Sequence, residues 1–418
     1  MQTVNFTQNA FIKDAYDVIV AGGGPSGTAA AIAAARAGAK TLLIEKNICL
    51  GGMWTAGLVN PLFDQENKVG IMKEIYNRLV ESNAWGGFWG ISFQYERMKW
   101  LLDDMTKSAG VTVLFDTVVT GVKTENDAVV GLFTHSKEGI CYYPAKIVID
   151  CTGDADVAAL SGVEIKIGRE KDGGCQAATL MFLIGNTHFV QKDAKELCKL
   201  ITEAVETHGL DYKIPFNHPF VINVPGTDTA VVQLTHMRGY NTLNGNDFSA
   251  AVIEGRRQAM QTFEIMKNYV PQFKDITLLQ TAAMLGVRES RRIVGEYTLQ
   301  LDDLVQGKKF SDSICICGFG IDIHEPDSDV QTNIHSKPYG IPYRCLIPKG
   351  VKNLLVAGRT ISGTHEALAS YRVTGDCVAM GEAAGCAAYE ALSQQKDVRN
   401  VTIDEIKKHV TGWIDLAE

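Results

Sequence analysis

Gly22, Gly24 and Gly27 stand in G-x-G-x-x-G spacing, and Glu45 follows 18 residues after the last of them. Residues of these types at these distances can hold a dinucleotide. Gly22 makes a tight turn, Gly24 lacks the Cβ that would keep a pyrophosphate off the backbone, and Gly27 lets a helix pack close to a strand. Pro25 and Ser26 open that helix, whose free N–H groups and positive end favour phosphate. Glu45 ends the next apolar run, where a carboxylate can accept hydrogen bonds from a ribose diol. A second group could move protons. In Thr364-His365-Glu366, a neutral imidazole can take the proton of a substrate hydroxyl, Glu366 can orient the ring, and Tyr371 and Arg372 stand in reserve as donor and charge partner. A third group is Arg288, Arg291 and Arg292 in GVRESRRIVGEY. Clustered arginines can clamp a substrate carboxylate or phosphate. They also make ion pairs at domain interfaces, and that is the expectation for at least two of these three.

The elements that must position these residues follow from hydrophobic period and turn chemistry. Val18 to Ala21 is short and apolar enough for a buried strand, Pro25 to Arg36 is an Ala-rich helix, Gly38 breaks it, and a second strand starts at Thr41. The loop 47–60, with Gly51 and Gly52, comes directly after the ribose-binding acid and is placed to run beside the rest of the cofactor. Helices are expected over 70–82 and 95–108, and strands over 111–115, 118–122 and 129–134. The run 145–154, AKIVIDCTGD, ends in Thr152-Gly153-Asp154, small residues at the C-terminal end of a strand, where ligands bind in open α/β sheets.

From about 162 to 339 the βα alternation stops. Strands are expected over 177–184, 220–224, 230–235 and 277–285, with helices over 190–207 and 248–269. The first pattern then returns. Residues 353–357 form a strand ending at Gly358-Arg359, and a helix starting near Arg372 to Asp376 carries Gly375, Gly381 and Gly385 among alanines. Such a slender helix can pack tightly on the Ala-rich one and aim a second N-terminus at the same site.

The chain has 418 residues, 46% hydrophobic and 21% charged, enough for two domains with a sizeable core. A net charge of −8 disfavours nucleic acid as a partner. The first 16 residues lack a signal-peptide pattern and no apolar run is long enough to span a membrane, so a cytoplasmic location is expected. The ten cysteines are scattered without a C-x-x-C pair, as buried thiols in a reducing compartment would be, and no metal site is expected.

The opening stretch resembles the FAD fingerprint G-x-G-x-x-G-x3-A-x6-G, matched by Gly22, Gly24, Gly27, Ala31 and Gly38. LGGMWTAGLV, CTGDAD, GVRESRRIVGEY and LLVAGRTISGTHEALASYR resemble the bacterial FAD-dependent oxidoreductase family. That family belongs to the glutathione-reductase-like flavoproteins, alongside the fumarate reductase flavoproteins. The resemblance covers most of the chain and is weakest over 185–275. It implies an α/β fold: a Rossmann-like three-layer FAD-binding domain with a parallel ββα sheet, discontinuous over 1–165 and 340–418, and an inserted mixed α/β substrate domain over 166–339. It also implies non-covalent FAD, with Gly22, Gly24, Gly27, Glu45 and Lys46 on the ADP half and Val118 near the adenine. Gly52, Met53, Arg359 and the helix start at Gly375 would lie near the ribityl chain and flavin ring.

The expected function is hydride transfer between flavin N5 and a small organic substrate: an alcohol, sugar or polyol, hydroxy acid or enoate. The residues name neither the substrate nor the external electron acceptor or donor, and they leave room for a homo-oligomer. No second glycine fingerprint is present, so a nicotinamide domain is not expected. One alternative is a flavin monooxygenase or halogenase. Against it, Trp85 and Trp89 do not match the halogenase W-x-W-x-I-P, and the G-D-A-x-x-P ending of aromatic hydroxylases is absent. The stretch 85–93 therefore reads as a packed loop. The other alternative is a protein that binds FAD without turnover.

Overall fold

The computed structural model describes residues 4, 7–187 and 194–413. The expected helix 190–207 runs Ala194–His208, its first four residues lying outside the described ones, as does the tail 414–418. At the centre is a parallel sheet of five strands, in the order Thr112–Leu114, Thr41–Ile44, Tyr16–Ala21, Gly139–Asp150, Leu354–Val356. Strand alternation sorts their side chains into two cores. Val18, Val20, Leu43, Ile149 and Leu355 face the helices, whereas Ile19, Ala21, Leu42, Val148 and Leu354 face the opposite layer. That layer is an antiparallel meander. Val118–Glu125 pairs with Ala128–Ser136, which pairs with the first half of the strand Gly139–Asp150. One long strand thus belongs to both layers; the expected strand 145–154 covers its second half, to Asp150, and the turn that follows.

The helical layer is built on close approach. Helix Pro25–Ala37 packs along helix Thr374–Ser393. A Cβ on Gly381 would lie 2.0 Å from the Ser26 carbonyl oxygen, and one on Gly385 would lie 2.3 Å from that of Ala30. Backbone therefore touches backbone, which only glycine permits. Helix Gly70–Glu81 buries Ile71, Ile75 and Leu79 on one face, as its period predicts.

A second sheet, antiparallel throughout, runs Phe220–Asn223, Ala230–Gln233, Phe182–Gly185, Thr277–Thr281. Phe182 and Ile184 lie under helices Ala194–His208 and Gly245–Tyr269, packed with Leu197, Ile201 and Phe263. Leu183, between them, faces Phe88, Leu285 and Val287. The strand expected from 177 starts only at Phe182. Upstream, Ala178 and Thr179 make isolated bridges to Met237 and Gly286. Residues 299–347 pack into the same core as the nucleotide-side helices, through Leu299, Ile314, Tyr339 and Ile341. Trp85–Phe93 closes as a tight hairpin around the Ser92 hydroxyl, which accepts from Phe88 N and donates to Gly86 O.

One buried acid ties the helical layer together. The Glu382 carboxyl accepts from Ile71 N at 3.0 Å and is 5% exposed. Burial raises its pKa to about 8, against the opposing pull of Ile71 N and Arg36. The folded state thus keeps a proton that the unfolded chain releases above its ordinary pKa, so stability is lost as pH rises toward 8. Glutamine copies the protonated acid. Glu382→Gln should therefore gain on the wild type by up to about 1.4 kcal/mol per pH unit between pH 5 and 8. Urea unfolding at pH 6 and pH 8 checks this, and a pH-independent difference would contradict it.

Candidate active site

The C-terminal ends of the parallel strands open into one cavity. Its lining runs from Val118 and Glu45, past Gly22, Gly24 and Pro25, to Arg359, Thr374, Arg372 and His324. At the first end, Gly22 has φ 97°, a left-handed turn that glycine alone adopts without strain. A Cβ on Gly27 would lie 1.7 Å from the Gly22 carbonyl oxygen, so the helix sits directly on the turn. A Cβ on Gly24, by contrast, would meet nothing within 4 Å. That space, at a helix N-terminus, is where a pyrophosphate fits. Glu45 is 4% exposed. Its Oε2 accepts from Gly23 N at 2.6 Å, and its Oε1 from Asn47 N at 2.7 Å and Asn47 Nδ2 at 2.6 Å. A carboxylate offers about four acceptor positions, so capacity for a ribose hydroxyl remains.

The middle of the cavity is framed by loops. Gly51 N donates to Gly23 O at 2.8 Å, and a Cβ on Gly52 would lie 3.2 Å from Gly24 Cα. The second glycine loop therefore lies on the first, and Gly52 and Met53 face the cavity, as does Lys46. Asp150, fully buried, accepts from Thr152 N, Thr152 Oγ1 and Ala158 N, and its pKa is pushed up to about 6 by burial against those bonds. It fixes the turn that presents Thr152 and Gly153 to the cavity. Asp154 does not line it. Burial would raise the Asp154 pKa, but the Arg359 guanidinium at 2.6 Å and the Ser290 hydroxyl at 2.7 Å hold it below the ordinary range. Arg359 also donates to the carbonyls of Gly153 and Val287, so it bridges two loops across the cavity wall. Ser26 and Gly358 line the wall, and the second helix presents Val373, Thr374 and Cys377. Gly375 is a packing glycine: a Cβ there would lie 2.6 Å from the carbonyl oxygens of Phe63 and Asp64.

The far end holds side chains that the motifs did not single out. Strand Ile321–His324 turns Ile321 and Ile323 into the core, while Asp322 and His324 line the cavity. His324 Nε2 lies 3.2 Å from Asp322 Oδ2, and its Nδ1 lies 2.9 Å from His236 Nε2. The His236 ring stacks on Phe216 with centroids 4.2 Å apart. Burial and the Arg288 charge pull His324 down to about 3 and lower His236 as well, so both rings are neutral. Burial opposes the ionised form of Asp322, but His324 and Arg372 keep its pKa below normal. An ionised carboxylate only accepts, so His324 carries its proton on Nε2, and His236 Nε2–H donates to His324 Nδ1. Phe63 and Phe319, with centroids 5.5 Å apart, add an apolar wall.

The three arginines separate. Arg291 pairs with Asp156 at 2.8 Å. Arg292 is buried on Glu289 and donates to Gly363 O and Gly168 O. Only Arg288 lines the cavity. The expected loop 364–366 instead begins a helix, His365–Tyr371, capped by the Thr364 hydroxyl on Ala367 N. This winding turns His365 inward, where Nδ1 lies 2.8 Å from Glu289 Oε2, and Tyr371 OH donates to Ile361 O. His365, Glu366 and Tyr371 are absent from the cavity wall, and Arg372 is on it. The alternation Ile-Asp-Ile-His at 321–324 was the sequence signal for the missed pair. Among the described residues no helix is long and apolar enough to cross a membrane.

Comparison with known proteins fits this geometry. Residues 17–410 match the model of the family described as FAD dependent oxidoreductase. Over 177 residues the chain is 30% identical to the tRNA uridine 5-carboxymethylaminomethyl modification enzyme MnmG of Christiangramia forsetii. That match takes in 39% of this chain and only 27% of that enzyme. In fold the chain is similar to the p-nitrophenol 4-monooxygenase PnpA of Pseudomonas putida DLL-E4, with a TM-score of 0.51 and 11% identity over 95% of this chain and 84% of that one. It is likewise similar to the flavin-dependent brominase Bmp2, with a TM-score of 0.50 and 13% identity over 95% and 83%. At such identities these two likenesses speak for the fold alone. The family match spans the sheet, both glycine loops and the far end of the cavity: the chain belongs to the FAD dependent oxidoreductase family and is an enzyme with FAD as its cofactor.

Proposed function

We propose that the enzyme transfers a hydride between a small organic substrate and FAD, with the substrate held at the Arg288–His324–Arg372 end of the cavity. The observation that carries this reading is continuity: the same cavity that begins at the dinucleotide loop ends among Phe63, Phe319, Arg288, Asp322, His324 and Arg372. FAD supplies the hydride acceptor or donor, at N5. Gly22, Gly24, Pro25, Ser26, Glu45 and Lys46 would hold the ADP half, with Gly27 seating the helix on the turn; Val118 would meet the adenine, and Gly52, Met53, Thr152, Gly153, Gly358 and Arg359 would flank the remainder. In alcohol oxidation the C–H bond breaks with its electron pair leaving as hydride, and the hydroxyl proton leaves separately. The ionised Asp322 carboxylate at that end receives that proton, and His324 Nε2–H and Arg372 orient it. Arg372, of the four residues first considered for catalysis, acts at the cavity. His365 and Tyr371 hold the wall behind it.

The experiment is anaerobic mixing of the FAD-loaded enzyme with hydroxy acids, polyols and sugars, and of the chemically reduced enzyme with enoates. Loss or return of the flavin absorbance in the absence of oxygen supports the proposal. Turnover that requires oxygen together with NAD(P)H would replace it with the monooxygenase or halogenase reading.

A further inference from the structure

The substrate's charge follows from an imbalance in the cavity wall, and this step rests on the hydride-transfer reading. Three guanidinium groups line the cavity: Arg288, Arg359 and Arg372. Arg359 is committed to Asp154 and to two backbone carbonyls. Arg372 Nη2 lies 3.0 Å from Asp322 O and 3.4 Å from Asp322 Oδ2, while its Nε is buried without a partner. Arg288 has no acid. Its neighbours in sequence show the contrast, since Arg291 has Asp156 and Arg292 has Glu289. Of the three, the one that faces the cavity is the one lacking a carboxylate among the described residues.

What Arg288 does touch fixes how it can bind. Its Nη1 donates to Ala177 O at 2.6 Å and to Thr179 Oγ1 at 2.7 Å. Nη1 carries two hydrogens, so both are used. The Nε–H and the two N–H groups of Nη2 remain, and these form the edge of the guanidinium that matches the two oxygens of a carboxylate. The Nη1 bonds hold that edge in one orientation before any ligand arrives. Burial, with the charges of Arg372 and Arg238, pulls the Arg288 pKa down to about 9 against the opposing charge of Asp322. Among the described residues no carboxylate lies within ion-pair distance to supply a direct counter-charge: Asp322, the acid that opposes this shift, pairs with Arg372. The nearby imidazoles cannot supply one, because both are neutral and both nitrogens of His324 already have partners.

We infer that the substrate carries a carboxylate, bound side-on by the Nε–Nη2 edge of Arg288 with Arg372 as the second cation, and an apolar portion against Phe63 and Phe319. Among the substrates considered above, this selects hydroxy acids and enoates over sugars and polyols.

The test uses FAD-loaded wild type and Arg288→Gln. Glycolate, crotonate and benzoate are titrated at constant ionic strength, each beside its neutral amide, and the flavin absorbance band is followed. At least one acid should give a saturable change that its amide does not. Arg288→Gln should weaken that binding at least about tenfold, as loss of a charged hydrogen-bonding partner does. The inference is overturned if no acid perturbs the flavin beyond chloride, if acid and amide bind alike, or if Arg288→Gln binds as the wild type does. Should the variant fail to load FAD, the acid–amide contrast in the wild type decides. A wild type free of FAD would overturn the parent reading and this one with it, whereas FAD-loaded wild type indifferent to carboxylates overturns this one alone.

Discussion

Gly24→Val should fold normally and lose FAD. The backbone at Gly24 has φ −71° and ψ −171°, extended geometry that valine adopts readily. A Cβ there would touch no protein atom within 4 Å, so the fold itself has room for the side chain. That room is the space in front of the helix N-terminus, and a branched side chain fills it. The pyrophosphate then stands off from the backbone N–H groups. Losing two charge-assisted hydrogen bonds costs about 3–6 kcal/mol, or roughly 10²–10⁴-fold in affinity. Purified variant protein should show wild-type far-ultraviolet circular dichroism, no flavin absorbance, and no recovery of it on adding FAD. A variant that copurifies with stoichiometric FAD would mean that the pyrophosphate lies elsewhere.

Gly381→Val should give the opposite result: the defect is in folding, with cofactor loss only a consequence. Gly381 is in mid-helix, where valine is tolerated by backbone geometry. Its Cβ, however, would lie 2.0 Å from Ser26 O and 2.9 Å from Ser26 Cα. These are main-chain atoms, so no rotamer change relieves the clash. The two helices must separate, which breaks the Ala-rich contact from Ala30 to Ala34 and displaces both helix starts at the cavity. Overpacking of a tight core costs about 1–3 kcal/mol, and more where backbone must move. Denaturant unfolding should show a loss of at least about 3 kcal/mol, or the protein should be insoluble. Wild-type stability would show that the helices are not in backbone contact.

The contrast between these glycines explains how much was legible in the sequence. Glycines report close approach, and here they do so at the turn (Gly22), the helix–turn contact (Gly27) and the helix crossing (Gly381, Gly385). Short continuous apolar runs report strands buried on both faces, which is why strands of the parallel sheet could be read ahead of its structure. The far end of the cavity could not. His324 gains its chemistry from His236, 88 residues away, and from Arg372, and neither partner is implied by local spacing. Nor does local spacing tell Arg288 from Arg291 and Arg292. Their roles separate because residues 291–293 pair with Ile165–Ile167, while Arg288 precedes that strand and faces the cavity. His365 shows the reverse failure. It lies in a stretch that reads as a loop at the sheet edge, but Thr364 caps a helix there and Glu289 draws the imidazole into the wall.

The central claim is that one cavity holds FAD along its length and leaves the substrate at the Arg288 end. The most direct measurement is a crystal structure of the FAD-loaded enzyme. The account predicts the adenine against Val118, the ribose on Glu45, the pyrophosphate at Gly24 and Pro25, and the flavin ring beside Arg359 and Thr374, with Arg288, His324 and Arg372 facing open space beyond N5. A flavin ring covering Arg288 and His324, so that no substrate could enter between them and N5, would contradict it.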